Sequence, residues 1–310
     1  MRTVRDHTYV SDEDRGASAA IGNFDGVHLG HQAVIALAQS KARDMACPSG
    51  VVTFEPHPRE VFQPGAPPFR LMNARARAHR LEKLGVERLY ELNFSTVMAA
   101  LTPEAFALEI LKDGLGLTHV VVGKDFCFGK GRKGTAQDLA RFGADMGFGV
   151  TISPLLETGG IEVSSTRIRE ALTEGRPEDA ARMLGHRHRI EGTVIRGDQR
   201  GRDLGYPTAN MSIDGLHPPR FGVYAVEVDI LTGPHKGEYT GVASLGVRPM
   251  FGENRPNFET HIFDFRGDLY GADLSVALVA FLRPEARFDS VDALITQMDA
   301  DSAQAREILG

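Results

Sequence analysis

Ala17-Ser18-Ala19-Ala20-Ile21, followed by Gly22-Asn23-Phe24-Asp25-Gly26-Val27-His28-Leu29-Gly30-His31, is the stretch on which the reading of this chain turns. A short apolar run, a glycine-bounded loop and a helical pattern predict a strand over 17–21 and a helix from about Val27 to Met45. In that helix Val34, Leu37, Ala38 and Ala42 keep helical spacing. His28 and His31 stand three apart at the helix start. They share a face where free backbone N–H groups and the helix dipole already favour phosphate. Gly30 between them permits close approach of a nucleotide.

The same alternation continues downstream. Val51 to Glu55, Arg88 to Leu92, His119 to Val122 and Val150 to Ile152 read as strands. Between them Pro103 opens a helix through Leu111, and Thr135, with Asp138 three residues on, caps a helix to Met146. Strands alternating with helices predict an α/β domain with a parallel sheet. After Ser164 come two short helices broken at Gly175-Arg176-Pro177. Beyond them lie short strands over 190–195, 222–230, 239–247, 257–265 and 274–281, separated by glycine, proline or aspartate turns. That spacing predicts a small antiparallel barrel. Ser290 caps a last helix, whose Val291, Leu294, Ile295 and Met298 are expected to lie against it. The expected domains are 1–182 and 183–310.

Composition narrows the function. The 310 residues carry 35 basic and 41 acidic side chains, a net charge of −6, which argues against a general nucleic-acid binder. The short basic runs HRHR and GKGRKG do not change that expectation. The longest apolar stretch, Leu274 to Leu282, is far below the ~20 residues of a membrane span, so no membrane partner is expected. Two cysteines, Cys47 and Cys127, and a charged N-terminus without a signal-like apolar run suit the cytoplasm.

Further motifs carry chemistry. In Ser164-Ser165-Thr166-Arg167-Ile168-Arg169, hydroxyls entering a helix can cap it or donate to a triphosphate, and Arg169 adds a charge-assisted contact. The glycine-rich and basic run 123–134, which contains Asp125 and Phe126, is read as a mobile loop over a nucleotide. In the second half Gly197, Gly201, Arg202 and Gly205 lead into Tyr206-Pro207-Thr208-Ala209-Asn210. The glycines allow close backbone approach to phosphate, while Thr208 and Asn210 offer neutral oxygens of the kind that complete a magnesium shell. Glu259 sits mid-strand among apolar neighbours, and an acid there needs a partner or a task.

These residues, in this order, resemble the bacterial bifunctional riboflavin kinase and FAD synthetase family over nearly the whole chain. The resemblance implies a Rossmann-like nucleotidyltransferase domain of the HxGH type followed by a small antiparallel β-barrel with a C-terminal helix. It implies adenylylation of FMN in the first domain and phosphorylation of riboflavin in the second, with ATP and Mg2+, and FAD as the final product. His28 and His31 would then stabilise the ATP phosphates, with Gly22, Phe24, Asp25 and Gly30 lining that site. Ser165, Thr166 and Arg169 would face the triphosphate from the other side, and Asp125 and Phe126 would belong to the flavin and nucleotide loop. Thr208 and Asn210 would hold Mg-ATP in the kinase, in the segment that also includes Pro207, and Glu259 would be the general base. Departures from the family pattern include Met250 in Arg248-Pro249-Met250-Phe251, the stretch Arg70 to Ala78, Met98, and Cys127. Self-association is not readable from the sequence.

Overall fold

The computed structural model describes residues 1–154, 157–158, 161–197, 205–247 and 256–310. The chain packs as two compact units, one of Met1–Ala66 with Arg77–Val163, the other of Pro67–Ala76 with Ser164–Gly310.

The first unit is built on six parallel strands: β1 (Arg2–Val4), β2 (Ser18–Ile21), β3 (Ser49–Glu55), β4 (Arg88–Asn93), β5 (His119–Gly123) and β6 (Gly149–Ser153), in the order β1-β4-β3-β2-β5-β6. All of β2 and nearly all of β3 is buried. A strand covered on both faces needs a continuous apolar run, which is what the sequence supplies there. The edge strand β1 is absent from the sequence reading, because three residues RTV carry no recognisable alternation. From β2 the order runs one way to β3 and β4 and the other way to β5 and β6. Ligands of such sheets collect in the crevice beyond the carboxyl ends of the strands at that reversal.

Helix α1 (Leu29–Asp44) buries Val34, Ile35, Ala38 and Ala42. Ile35 takes the inward place that helical spacing had given to Leu37, and burying one such side chain contributes roughly 1.5–3 kcal/mol. Helix α2 (Ala74–Lys83) carries Arg77, discussed below. Helix α3 (Ala136–Met146) starts as expected. The Thr135 hydroxyl accepts from the Asp138 N–H, and the Asp138 carboxylate accepts from the Thr135 N–H. It ends at Gly147, which adopts a left-handed conformation. The helix expected from Pro103 to Leu111 is one α-turn, Pro103–Ala105, that widens into π-helical bonding over Phe106–Gly114.

The second unit holds six antiparallel strands: β7 (Arg189–Thr193), β8 (Ala209–Ser212), β9 (Gly222–Ile230), β10 (Gly237–Val247), β11 (Pro256–Ile262) and β12 (Asp273–Pro284), in the order β7-β12-β9-β10-β11-β8. The sheet curls until its ends meet. The Ile195 N–H, just beyond β7, donates to the Asn210 carbonyl in β8 at 2.9 Å, leaving a nearly closed barrel. Met211, Val226, Val228, Leu245, Phe258 and Val276 fill it without exposure. Helices α4 (Ser165–Thr173) and α5 (Pro177–Leu184) break at Gly175 as the sequence predicts. They bury Ile168, Leu172 and Leu184 against Leu71.

The last helix, α6 (Val291–Leu309), corrects one expectation. Its apolar first turns do not make the deep contact: Val291 is 56% exposed, whereas Asp301 and Ala305 are buried. Asp301 receives two nitrogens of Arg283 on β12 at 2.7–3.0 Å and the Gln297 amide at 2.9 Å. Stranding that buried carboxylate by removing Arg283 would cost about 3–5 kcal/mol. Periodicity pointed to the other end because the anchoring group is a charge. Among the described residues no helix is long and apolar enough to cross a membrane.

Candidate active sites

In the first unit the loop after β2 enters α1 through a tight, strained turn. Phe24 and Val27 have φ of 52° and 44°, and Gly26 has 85°. Left-handed backbone is unfavourable for a bulky or β-branched residue, of order 1–3 kcal/mol each, and both side chains are buried. Burial of Phe24 and Val27 holds the loop in place. His28 is the N-cap of α1: its Nδ1 accepts from the His31 N–H at 3.3 Å. That bond uses the Nδ1 lone pair, so the neutral ring carries its proton on Nε2. The His28 and His31 rings stack with centroids 3.6 Å apart, and the Phe24 ring meets His31 edge-on at 5.2 Å. Burial, then the neighbouring His28, holds His31 well below the ordinary histidine pKa, and its Nδ1 is buried without a hydrogen-bond partner.

Glycine positions acquire specific reasons here. A Cβ on Gly30 would lie 3.1 Å from Cε1 of His28, so Gly30 makes room for that ring. Gly22 donates its N–H to Val52 at 3.1 Å, and a Cβ on it would touch the Phe24 ring at an ordinary 3.4 Å. Asp25 is buried in the same turn.

Arg77 is a residue the sequence reading missed. It is only 2% exposed, and its guanidinium donates to Glu55 at 2.9 Å, Glu91 at 3.2 Å and the Asn23 carbonyl at 3.4 Å. The Thr53 hydroxyl donates to that carbonyl as well, at 3.2 Å. Strands β3 and β4 thus grip the loop that leads to the histidines. Flanked by Ala76 and Ala78 on a helix that also carries Arg75, Arg80 and Lys83, Arg77 has no sequence feature that sets it apart.

The run after β5 differs from its expected form. Cys127–Phe128 and Gly134–Thr135 pair as a small hairpin rather than a free loop. A Cβ on Gly129 or Gly134 would come within 2.7–2.8 Å of Pro103, so these glycines serve packing. Asp125 is exposed, and Phe126 stacks on Phe128 with centroids 5.5 Å apart.

Ser165, Thr166 and Arg169 lie in the first turns of α4, in the second compact unit. The cap is Ser164, whose side chain accepts from the Arg167 N–H. Thr166 accepts from Arg169 at 3.5 Å, and Arg169 also donates to the Phe69 carbonyl at 3.3 Å.

The second constellation lies on the outer face of the barrel. Along β11 Phe258, Thr260 and Ile262 are buried while Asn257, Glu259 and His261 alternate with them. Glu259 therefore stands apart from its apolar sequence neighbours, because the period of two sends them to the other face. On β8 Met211 points inward and Asn210 outward; strand pairing sets Asn210 opposite Glu259. Thr208 donates to Glu259 Oε2 at 3.4 Å, and the Asn257 amide donates to Glu259 Oε1 at 2.9 Å and Asn210 Oδ1 at 3.0 Å. A Cβ on Gly197 would fall 2.7 Å from the Asn210 amide, which excludes any other residue there without movement. Gly205 has φ of 83° at the turn into this segment.

Pro207 is held through its carbonyl, which accepts from His261 Nδ1 at 2.9 Å. Tyr206 donates to Asp299 of α6, and burial raises its phenol pKa. Gly201, Arg202 and the stretch Arg248 to Phe251 lie outside the described residues. The donor oxygens of Thr208, Asn210 and Glu259 are hard ligands of the type magnesium takes. Among the described residues no cluster of three histidine, cysteine or carboxylate side chains offers a metal an all-protein site.

Comparison with known proteins agrees along the whole chain. Residues 10–167 match the family model for FAD synthetase and residues 184–309 that for riboflavin kinase. A bifunctional riboflavin kinase/FMN adenylyltransferase of Pseudomonas fluorescens is 42% identical over 99% of this chain and 98% of its own. One of Escherichia coli K12 is 37% identical over 100% and 98%. A crystal structure described as a macrolide-efflux protein from Streptococcus pneumoniae shares the fold, with a TM-score of 0.84 at 34% identity over 98% of each chain. With a parallel-sheet unit, a barrel and both domain families present in one polypeptide, the chain belongs to the bifunctional riboflavin kinase/FMN adenylyltransferase family.

Proposed function

We propose that the two reactions of this family, ATP-dependent phosphorylation of riboflavin to FMN and adenylylation of FMN to FAD, run on this chain at the two constellations just described. Residues 183–310 carry the kinase and residues 1–182 the adenylyltransferase. The observation that carries the reading is the Glu259 carboxylate held beside the Thr208 hydroxyl and the Asn257 amide on one strand face.

A ribityl hydroxyl is a poor acid, so its attack on the γ-phosphorus of ATP needs a base that takes the proton as the O–P bond forms and ADP leaves. Glu259 does this. Thr208 and Asn210 would hold the magnesium ion that accompanies ATP, and that ion neutralises phosphate charge when bound. Gly197, Gly205 and Pro207 shape the backbone for the nucleotide, and Gly201 and Arg202 are assigned to nucleotide binding from the sequence.

FMN brings an anionic phosphate to the α-phosphorus of ATP, with pyrophosphate as leaving group, so adenylylation needs no base. Charge stabilisation and in-line placement suffice. His28 presents Nε2–H to the phosphates and His31 stacks behind it. Gly22, Phe24, Asp25 and Gly30 shape the pocket, Ser165, Thr166 and Arg169 bind the triphosphate, and Asp125 and Phe126 contact flavin and nucleotide. The protein works in the cytoplasm on small molecules, without nucleic-acid or membrane partners.

The test is chromatographic: protein, riboflavin, ATP and magnesium are incubated and the flavins separated over time. Wild type forms FMN and then FAD, His28→Ala stops at FMN, and Glu259→Ala converts only supplied FMN. Failure of both products in a folded, ATP-binding protein would overturn the assignment.

A further inference from the structure

We infer that Asn257 is a positioning residue for phosphoryl transfer, its side-chain amide fixing the Glu259 carboxylate and the Asn210 amide as one unit. The inference rests on the reading of Glu259 as the base. Asn257 and Glu259 are two residues apart on β11 and share its outer face; opposite them on β8 stand Ser212 and Asn210. From there one nitrogen, Nδ2, reaches Glu259 Oε1 at 2.9 Å and Asn210 Oδ1 at 3.0 Å. An amide nitrogen carries two hydrogens, so both bonds form together.

The consequences pass round a ring of four side chains. With its oxygen accepting from Asn257, Asn210 turns its own nitrogen to Thr208, 3.4 Å from both the carbonyl and the hydroxyl oxygen. Thr208 in turn contacts Glu259 Oε2 at 3.4 Å. The last torsion of a glutamate is broad and two-fold, so an untethered carboxylate samples many orientations. Asn257 removes that freedom at Oε1, and with Oε1 fixed the direction of Oε2 is set as well. The same bond selects which end of the Asn210 amide faces which neighbour. No other residue type of this size offers two donors from one atom at that strand position: aspartate accepts only, and serine donates once.

Full-length Asn257→Asp tests the inference, because it keeps the shape, loses both donors and sets a charge beside Glu259. The kcat for riboflavin phosphorylation should fall roughly 10- to 100-fold. KM for ATP should rise by a smaller factor, since Asn210 loses the same donor while strand pairing keeps the β8 backbone in place. The thermal unfolding curve monitors the folded fraction, and adenylylation of supplied FMN should be unchanged. Should Asn257→Asp melt early, Asn257→Leu, which adds no charge, takes its place. Single-turnover rates in a Glu259→Gln background give the decisive comparison. A residue acting through Glu259 adds little further loss there, whereas one that only supports the strand adds its full effect. A Glu259→Gln variant at the wild-type rate would overturn the base assignment and the inference with it. A slow Glu259→Gln beside an Asn257 variant within about threefold of wild type in kcat, or full additivity, would overturn the inference alone.

Discussion

The two constellations solve different chemical problems on different kinds of scaffold. In the first unit the site residues sit in a loop between β2 and α1, beyond the carboxyl ends of parallel strands, and the loop is strained at Phe24 and Val27. In the second they project from the strands themselves, with Asn210 and Glu259 directly paired across β8 and β11. A loop at a helix start supplies N–H groups and imidazoles, which suit an anionic nucleophile that needs only charge stabilisation. A carboxylate that must accept a proton gains from a rigid strand and hydrogen-bonding neighbours. Scaffold and chemistry therefore match in each unit.

The contrast can be broken in several ways. The largest effect should come from Glu259→Gln, which is expected to slow riboflavin phosphorylation about 10²- to 10⁴-fold. FMN adenylylation by the same preparation should be unchanged. If both reactions slow together, the sites are not chemically separate. His28→Ala should reverse the pattern, lowering FAD formation from supplied FMN about 10²- to 10³-fold while FMN still accumulates from riboflavin.

Each unit also holds a histidine whose pKa is strongly depressed, and these sharpen the comparison through pH. Burial, with His186 and His217 nearby, pushes the His188 pKa down to about 3, and burial likewise depresses His31. A histidine neutral in the folded state but titrating near 6.5 when unfolded contributes full stability above pH 6.5 and loses it as pH falls towards the folded pKa. Chemical denaturation should show about 2 kcal/mol lost between pH 6.5 and 4.5 from His188. His188→Leu should flatten that slope, and an unchanged slope would mean that His188 is not held neutral.

The smallest effects concern the glycines. Gly197→Ala forces the Asn210 amide to move from a 2.7 Å approach, and a loss of about tenfold in kinase rate is expected. Gly30→Ala has to displace the His28 ring from only 3.1 Å, and its cost to adenylylation should be about threefold. Rates measured side by side would show whether the strand site is the less tolerant of the two.

Much of this was legible in the chain itself. The Thr135–Asp138 cap, the Gly222–Ile230 strand and the break at Gly175 follow from local chemistry, so single residues announce them. The groups the sequence reading did not single out act over long range. Arg77 meets Glu55 and Glu91 only once three elements have packed. Asn257 matters because β8 lies beside β11, a pairing that no periodicity reveals. Asp301 defeated the helix-face rule for the same reason, since its partner Arg283 comes from strand β12. The π-helical stretch after Pro103 keeps an ordinary apolar pattern and differs only in which carbonyl each N–H chooses.

The small apolar cluster of Leu71, Ile168, Ala171, Leu172, Ala180 and Leu184 has a practical meaning for anyone dividing this enzyme. Five of its six members precede residue 183, and one arrives from the excursion 67–76, yet all belong to the second compact unit. A fragment starting at residue 183 would keep the barrel and the Thr208–Glu259 face but present Leu184 to water in place of five lost neighbours. Solubility, rather than chemistry, would be its first failing. A cut at Val163 and Ser164 would keep four of them and leave only the place of Leu71 to be filled.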